Sequence, residues 1–469
     1  MRKLIILAFF AAGLQWAVAQ NTGYYFDNII IGDKTGIIRD NNIAYYEVGN
    51  DGYFVYIPSF TIPAPVTPTP YNRVQVPDKW FVRDFRVVNG VVYFCGYNID
   101  NNTALLGHFS VAGLVSGTGV VFYSDQNTAG QLAVLNRIAV KSDKSTVSVM
   151  AIGNEVMPGD METSGSDRVL YIDNYAAATG CIFASNDFRE VFWDVVSTDN
   201  YFVVTGTGGN NTNELTMRRV QFGIPASGFL PLFGNRYTYF CAHNFSGGVR
   251  VAALDGDTIA AAVHYSYDTV EYSTISHKIG YQVSTIDVTS AQMLYNQWSK
   301  TGTTDNVAFT TPRDMVYLKD SVALMMIDTF PYLYEGGVVR LNPYPSANYS
   351  PQYFFYDITF NIIFIPNPSG TYDTIIIYPK GEPMQYYSLA VLSSKACVAA
   401  AGASWMVLNF STTPEPRFAN SCVGSYITDI FVCPRNEPAL EVFGETIPYN
   451  MRFAVETGNI QTFFYGYCQ

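Results

Sequence analysis

Short apolar runs fill most of the chain, and polar or glycine-containing pairs interrupt them at regular intervals. The clearest unit spans residues 84–96, DFRVVNGVVYFCG. It recurs without a gap at residues 194–206, DVVSTDNYFVVTG, and without the closing Gly at residues 314–326, DMVYLKDSVALMM. Each copy opens on Asp, turns on a polar pair and runs apolar again. An Asn-Gly pair between two apolar runs predicts a hairpin, because both turn residues must take positive φ. Strand-turn-strand is therefore the repeated element.

Similar turns fall near positions 41, 89, 142, 199, 255, 319 and 393, roughly 50–75 residues apart. The residues following the second strand carry further strand patterns, such as TALLGHFSV after the first copy. A sheet of this size cannot bury both faces alone and must stack on its neighbours. The units resemble the blades of a β-propeller, in which four-stranded sheets are arranged radially. The resemblance is architectural and covers most of residues 24–413. It lacks the paired Gly-His and Trp-Asp signature of WD repeats and the double Gly of kelch repeats, so it implies no site residues. The reading is an all-β chain forming one propeller of seven blades, with residues 414–469 closing the ring against the N-terminal strands. Tandem β-sandwiches are the alternative. An outer-membrane barrel fits less well, because VVYFC and VALMMI are apolar on both faces. A single stretch, residues 290–298 (SAQMLYNQW), reads as helix. PSFTIPAPVTPTP (residues 58–70) reads as an extended connection, since its prolines lack donors.

Composition agrees with strands. Tyr and Phe number 35 and 32, and only 14% of residues are charged, which favours a packed β core over disorder. Arg2 and Lys3, the apolar residues 4–12 and Ala17-Val18-Ala19 read as a signal peptide cleaved after Ala19. The expected chain is thus exported (periplasmic, cell-surface or extracellular), with a single domain over residues 20–469. No later stretch is apolar enough for a membrane-spanning helix. A net charge of −12 argues against nucleic acid as partner. Seven cysteines leave at least one unpaired in any monomer. Cys95 and Cys397 read as buried thiols, and Cys422 and Cys433 as a candidate bridge.

Asp84, Asp194 and Asp314 are the carboxylates that repetition places. Near a propeller axis they would serve as acid and base or as cation ligands. A feature repeated in equivalent blades is more often a turn or backbone cap, since a catalytic pair needs two different environments. They are read as structural repeat positions. The four histidines, His108, His243, His264 and His277, show no metal or nucleophile spacing. Asn98, Asp100 and Asn102 alternate like the start of a calcium loop, but neither its Gly nor its closing Glu follows. Residues 208–211 (GGNN) precede no helix and do not read as a phosphate cradle. Tyr332, Tyr334 and residues 353–356 (YFFY) are aromatic binding candidates if they lie in loops. No catalytic residue, metal or cofactor is expected. The functional expectation is a recognition or scaffold protein for a glycan or protein ligand; the alternative is a glycan-active hydrolase or lyase on the same scaffold.

Overall fold

In the computed structural model the repeated stretch forms the first two strands of a sheet. Trp80–Val88 and Val91–Asn98 pair antiparallel around Asn89 and Gly90, whose φ angles of 52° and 72° are those a two-residue hairpin demands. Val191–Ser197 with Tyr201–Thr207, and Thr311–Tyr317 with Val322–Ile327, repeat the arrangement. The structure describes residues 24–465 apart from a set of connecting segments, of which the longest are 57–71, 117–130, 299–310 and 377–386.

Each of these first strands carries a one-residue bulge just before its Asp. The register shifts between Val82 and Asp84, between Phe192 and Asp194, and between Pro312 and Asp314. A bulge re-aims the side chain that follows it. It also explains the closing Gly. Gly96 pairs with Val82 beside the bulge, and a Cβ there would lie 1.8 Å from the Phe81 carbonyl oxygen. At Gly206 it would lie 2.5 Å from that of Val191.

The described strands form eight antiparallel sheets of three or more strands, with one further two-stranded hairpin. In chain order the blades span residues 34–75, 80–110, 134–184, 191–240, 244–298, 311–376, 387–421 and 427–465. The first strand of each blade is the inner one; from blade 2 onward it packs beside the first strand of the next blade, blade 1 meets blade 2 through Asp51–Tyr56 and Trp80–Val88, and the last blade meets the first. The result is a closed β-propeller. Among the described residues blade 2 has three strands and blade 6 has six. The turns near 41, 89, 142, 199, 255, 319 and 393 each join the first two strands of blades 1 to 7. The eighth sheet draws on both ends of the chain: Ile427–Pro434, Tyr449–Val455 and Asn459–Tyr465, then Tyr24–Ile30 as its outermost strand. It has no short first turn, because residues 440–447 make a separate hairpin there. The sheets therefore number eight where the turns number seven.

Apolar layers fill the blade interfaces. Between blades 1 and 2, Phe54 lies 5.4, 5.1 and 4.8 Å from the rings of Phe85, Phe94 and Phe109. Between blades 3 and 4, Tyr171, Phe192 and Phe202 pack with Phe229 and Phe233, both from the short helix Ala226–Phe233. That helix, with Pro231 inside it, is not legible as apolar periodicity. The expected helix over residues 290–298 is instead the strand Gln292–Trp298, paired with Thr274–Asp287. Its residues alternate between exposed Gln292 and Leu294 and half-buried Met293 and Tyr295, and this period of two decides for strand. Residues 353–356 lie in Gln352–Asp357, paired on both sides within blade 6, not in a loop. Residues 58–70, Tyr332 and Tyr334 lie outside the described residues.

Gly96→Ala is expected to destabilise the fold by about 1–3 kcal/mol, because the new methyl meets backbone that cannot move aside. Denaturant unfolding of the two proteins measures this; an unchanged midpoint would contradict the bulge geometry.

Candidate functional site

Two features invite a functional reading: a ring of charged groups at the axis and a cleft between blades 2 and 3.

The bulges turn Asp84, Asp194 and Asp314 to one position on the inner strands of blades 2, 4 and 6. One carboxylate oxygen of each accepts the next residue's N–H, from Phe85 at 3.0 Å, Val195 at 3.0 Å and Met315 at 2.9 Å. The other accepts an N–H from the inner strand of the following blade: Ile138 at 3.3 Å, Val251 at 3.2 Å and Leu389 at 2.7 Å. Asp429, on blade 8, is a fourth member. It follows a bulge between Ile427 and Asp429 and accepts the N–H of Ile38, on blade 1, at 2.9 Å. Even-numbered blades thus supply the carboxylate and odd-numbered blades the N–H, a two-blade period of roughly 115 residues. Asp429 was not singled out from the sequence because the hairpin signal that marks the other copies does not follow it. The spacing from Asp314, and the apolar Ile-Phe-Val after it, are the signals that find it.

Arginines stand in front of these carboxylates. Asp84 Oδ1 accepts Arg39 Nε at 3.3 Å and Arg86 Nη1 at 2.6 Å, and Arg39 also pairs with Asp429. Arg137 Nη1 lies 3.7 Å from Asp194 Oδ1. Arg250 Nε donates to the Arg313 carbonyl at 2.7 Å. The Asp84 side chain is 5% exposed, whereas Arg39 and Arg86 are 34% and 37% exposed.

The environments of the equivalent carboxyls differ. Burial pushes the Asp84 carboxyl up, but Arg86, Arg39 and Arg137 outweigh it and hold it below the usual carboxylate range. Burial pushes the Asp314 carboxyl up as well, and there the Leu389 N–H, Arg250 and Arg39 offset it only in part, so it stays raised. Burial likewise opposes the charge on Arg39, yet Asp429, Asp84 and Asp314 more than compensate, and its pKa is raised. Carboxylates on blades 2, 6 and 8 all act on this one guanidinium, which places it at the axis.

The cleft opens between blades 2 and 3, with a volume of about 420 Å³, lined among others by Tyr93, His108, Thr146, Asn174 and Tyr175. Tyr93 and Tyr175 meet edge to face at 5.2 Å and 87°, and His108 meets Tyr175 at 5.1 Å and 89°. Burial lowers the His108 pKa, so the imidazole is neutral at neutral pH. Asn174 Oδ1 accepts the Ala177 N–H at 3.3 Å, fixing the 3-10 turn that carries Tyr175. Among the described residues no Lys, Arg, Asp or Glu lines the cleft.

The remaining sequence candidates have structural surroundings. Asn98 Oδ1 accepts the N–H groups of Asp100 and Asn101 at 2.8 and 3.3 Å, so it turns into the loop, and the exposed Asp100 pairs with Lys79. Cys95 and Cys397 are buried free thiols, both raised by burial. The Cys181 thiol, half-buried, is pushed up to about 11 by burial and Asp173. Among the described residues no three His, Cys, Asp or Glu side chains are placed to hold a metal ion, and no helix is long and apolar enough to cross a membrane. The side chains of His264 and His277, and all of His243, Cys422 and residues 209–211, lie outside the described residues.

No family model matches the sequence, and no curated protein matches it. Among solved structures the chain is similar to a europium-containing methanol dehydrogenase, at 8% identity and a TM-score of 0.46 over 91% of this chain and 84% of that one. It is similar to the quinohemoprotein alcohol dehydrogenase ADHIIG of Pseudomonas putida HK5, at 8% identity and 0.45 over 95% and 77%. A streptogramin B lyase aligns at 10% identity and 0.36 over 94% and 97%. No residue role is carried over from them.

The opposite shifts at Asp84 and Asp314 predict unequal mutants. Asp84→Asn is expected to cost about 2–3 kcal/mol at pH 7, less than for a fully buried pair because both guanidiniums are a third exposed. Its lowered carboxyl contributes stability above the unfolded value of about 3.9, and loses it as pH falls through the folded value. The gap to the parent protein should therefore close only below about pH 4. The raised Asp314 carboxyl runs the other way, its contribution being present below the unfolded value and lost as pH rises through the folded one, so Asp314→Asn should cost less at pH 7. Urea titrations at pH 7 and below pH 4 check both; equal costs at pH 7 would contradict the electrostatic account.

Proposed function

We propose that the chain is an exported, non-enzymatic recognition protein that takes a neutral ligand, a glycan or an uncharged protein segment, in the cleft between blades 2 and 3. The observation that carries this reading is the make-up of the cleft. It has the volume of a small-molecule site, aromatic edges from Tyr93 and Tyr175, and uncharged polar groups from His108 and Thr146. Aromatic edges with a few neutral donors and acceptors suit a polyhydroxylated or amide-bearing ligand. Export is supported by residues 1–19 alone. The engagement of both oxygens of Asp84, Asp194 and Asp314 by backbone donors supports the reading indirectly.

One observation favours the second reading, a glycan-active hydrolase or lyase. Asp84 and Asp314 are shifted in opposite directions, as a general acid and its partner must be. They stand on blades 2 and 6, across the ring from one another, and that pair would be its machinery.

A glycan array probed with the full chain separates the readings. Saturable binding is expected, weakened tenfold or more by Thr146→Trp, which fills the cleft, with an unchanged melting midpoint. Binding that ignores this substitution would contradict the cleft reading. Release of new reducing ends, abolished by Asp314→Asn, would establish the second reading. The same sample, recovered from outside the cell, should begin at Gln20.

A further inference from the structure

The charges around the axis are unevenly distributed. Arg39, Arg86 and Arg137 lie on blades 1, 2 and 3 and all act on Asp84. On the remaining blades the carboxylates Asp194, Asp314 and Asp429 face the axis with Arg250, and Arg250 is buried with its Nε on a backbone carbonyl. One arc of the axis is therefore rich in guanidinium, in a protein whose net charge is −12.

The layering within that arc decides what a solute meets. Asp84 is set behind, 5% exposed, with its oxygens on the N–H groups of Phe85 and Ile138. Arg39 and Arg86 are set in front, each about a third exposed. They converge on the same atom, Asp84 Oδ1, at 3.3 and 2.6 Å, so the two forks are neighbours. Arg39 uses Nε and Nη1 on Asp84, Asp429 and the Ile38 carbonyl, and Arg86 uses Nη1 on Asp84 and the Phe85 carbonyl. Among the described residues no hydrogen bond engages Arg39 Nη2 or Arg86 Nε and Nη2. The buried carboxylate thus holds two guanidiniums in place and leaves donor-bearing edges unused by the described residues. Pre-oriented guanidinium edges match the geometry of a carboxylate or phosphate group, and the low-dielectric walls strengthen the attraction.

We propose that Arg39 and Arg86 form an oxyanion-binding site on the axial face of blades 1 and 2, taking a ligand that carries a carboxylate or a phosphate group. This site is separate from the cleft between blades 2 and 3. It uses different residues and the opposite ligand chemistry, so either can fail without the other.

The test is calorimetric titration of the full chain at pH 7 and low salt, with glucuronate in one series and inorganic phosphate in another. Saturable one-to-one binding is expected in at least one series, weakening as sodium chloride is raised. Binding in the glucuronate series alone identifies a carboxylate ligand, and in the phosphate series alone a phosphate ligand. Arg86→Gln should weaken the binding tenfold or more, while Arg219→Gln, on blade 4 beside Tyr201 and Tyr237, should leave it unchanged. If Arg86→Gln does not fold, Arg86→Lys keeps a cation for Asp84 and removes the fork, and the same loss is expected. Failure of both series to saturate would overturn the proposal, as would full binding by the folded Arg86 variant.

Discussion

A carboxylate shared between two inner strands is the interaction on which the ring depends. Each of Asp84, Asp194 and Asp314 accepts one N–H from its own strand and one from the next blade, and Asp429 accepts the Ile38 N–H across the seam. Inner strands of neighbouring blades have no ladder between them, so their facing N–H groups need another acceptor. A charged acceptor gives about 1.5–3 kcal/mol for each such bond, which opposes the cost of burying the carboxylate. Arginines at the axis complete the neutralisation, and Arg39 joins blades 1, 2 and 8 through Asp84 and Asp429.

The clamp occupies every second interface, from blade 2 to 3, 4 to 5, 6 to 7 and 8 to 1. Layer composition does not follow the clamps: the unclamped interface between blades 5 and 6 is mainly aliphatic, and the clamped one between blades 4 and 5 carries Trp193 and Tyr239. Blades 1 and 2 share the aromatic cluster around Phe54, and the Tyr45 hydroxyl accepts the Val82 N–H at 3.1 Å. Blades 3 and 4 share Tyr171, Phe192, Phe202, Phe229 and Phe233. At the clamped interface between blades 2 and 3 the layer is mainly aliphatic, with Tyr93 and Tyr175 as its aromatic members, and the cleft opens there. The architecture is better described as four two-blade modules than as eight equal blades.

The hairpin at Asn89-Gly90 was legible because both residues must take unusual backbone angles, and only certain residues do so cheaply, whereas Asp199-Asn200 takes no positive φ and was legible as a polar break between apolar runs. Gly96 and Gly206 were visible as repeat positions, although their cause, a carbonyl leaning in from a bulge, is a tertiary fact. The two-blade period was hidden because turns recur in every blade and the Asp in every second one. Asp429 escaped because residues 440–447 form a hairpin where the other copies have a short turn. The strand Gln292–Trp298 was misread as helix, since a short stretch of helix-tolerant residues follows its partner when ladder bonds are on offer. The cleft had no sequence signature at all. Tyr93 and His108 are cross-strand partners in blade 2, Thr146 and Tyr175 belong to blade 3, and only the docking of the two blades brings the pairs together.

Native-state hydrogen exchange reads the clamps most directly. The amides of Ile38, Ile138, Val251 and Leu389 should exchange only through global unfolding, as slowly as the ladder amides of the inner strands. In Asp429→Ala the Ile38 amide alone among the four should exchange faster than global unfolding allows. Exchange of these four amides at the rate of turn residues such as Asn89 would contradict the account, and so would an Ile38 rate indifferent to Asp429.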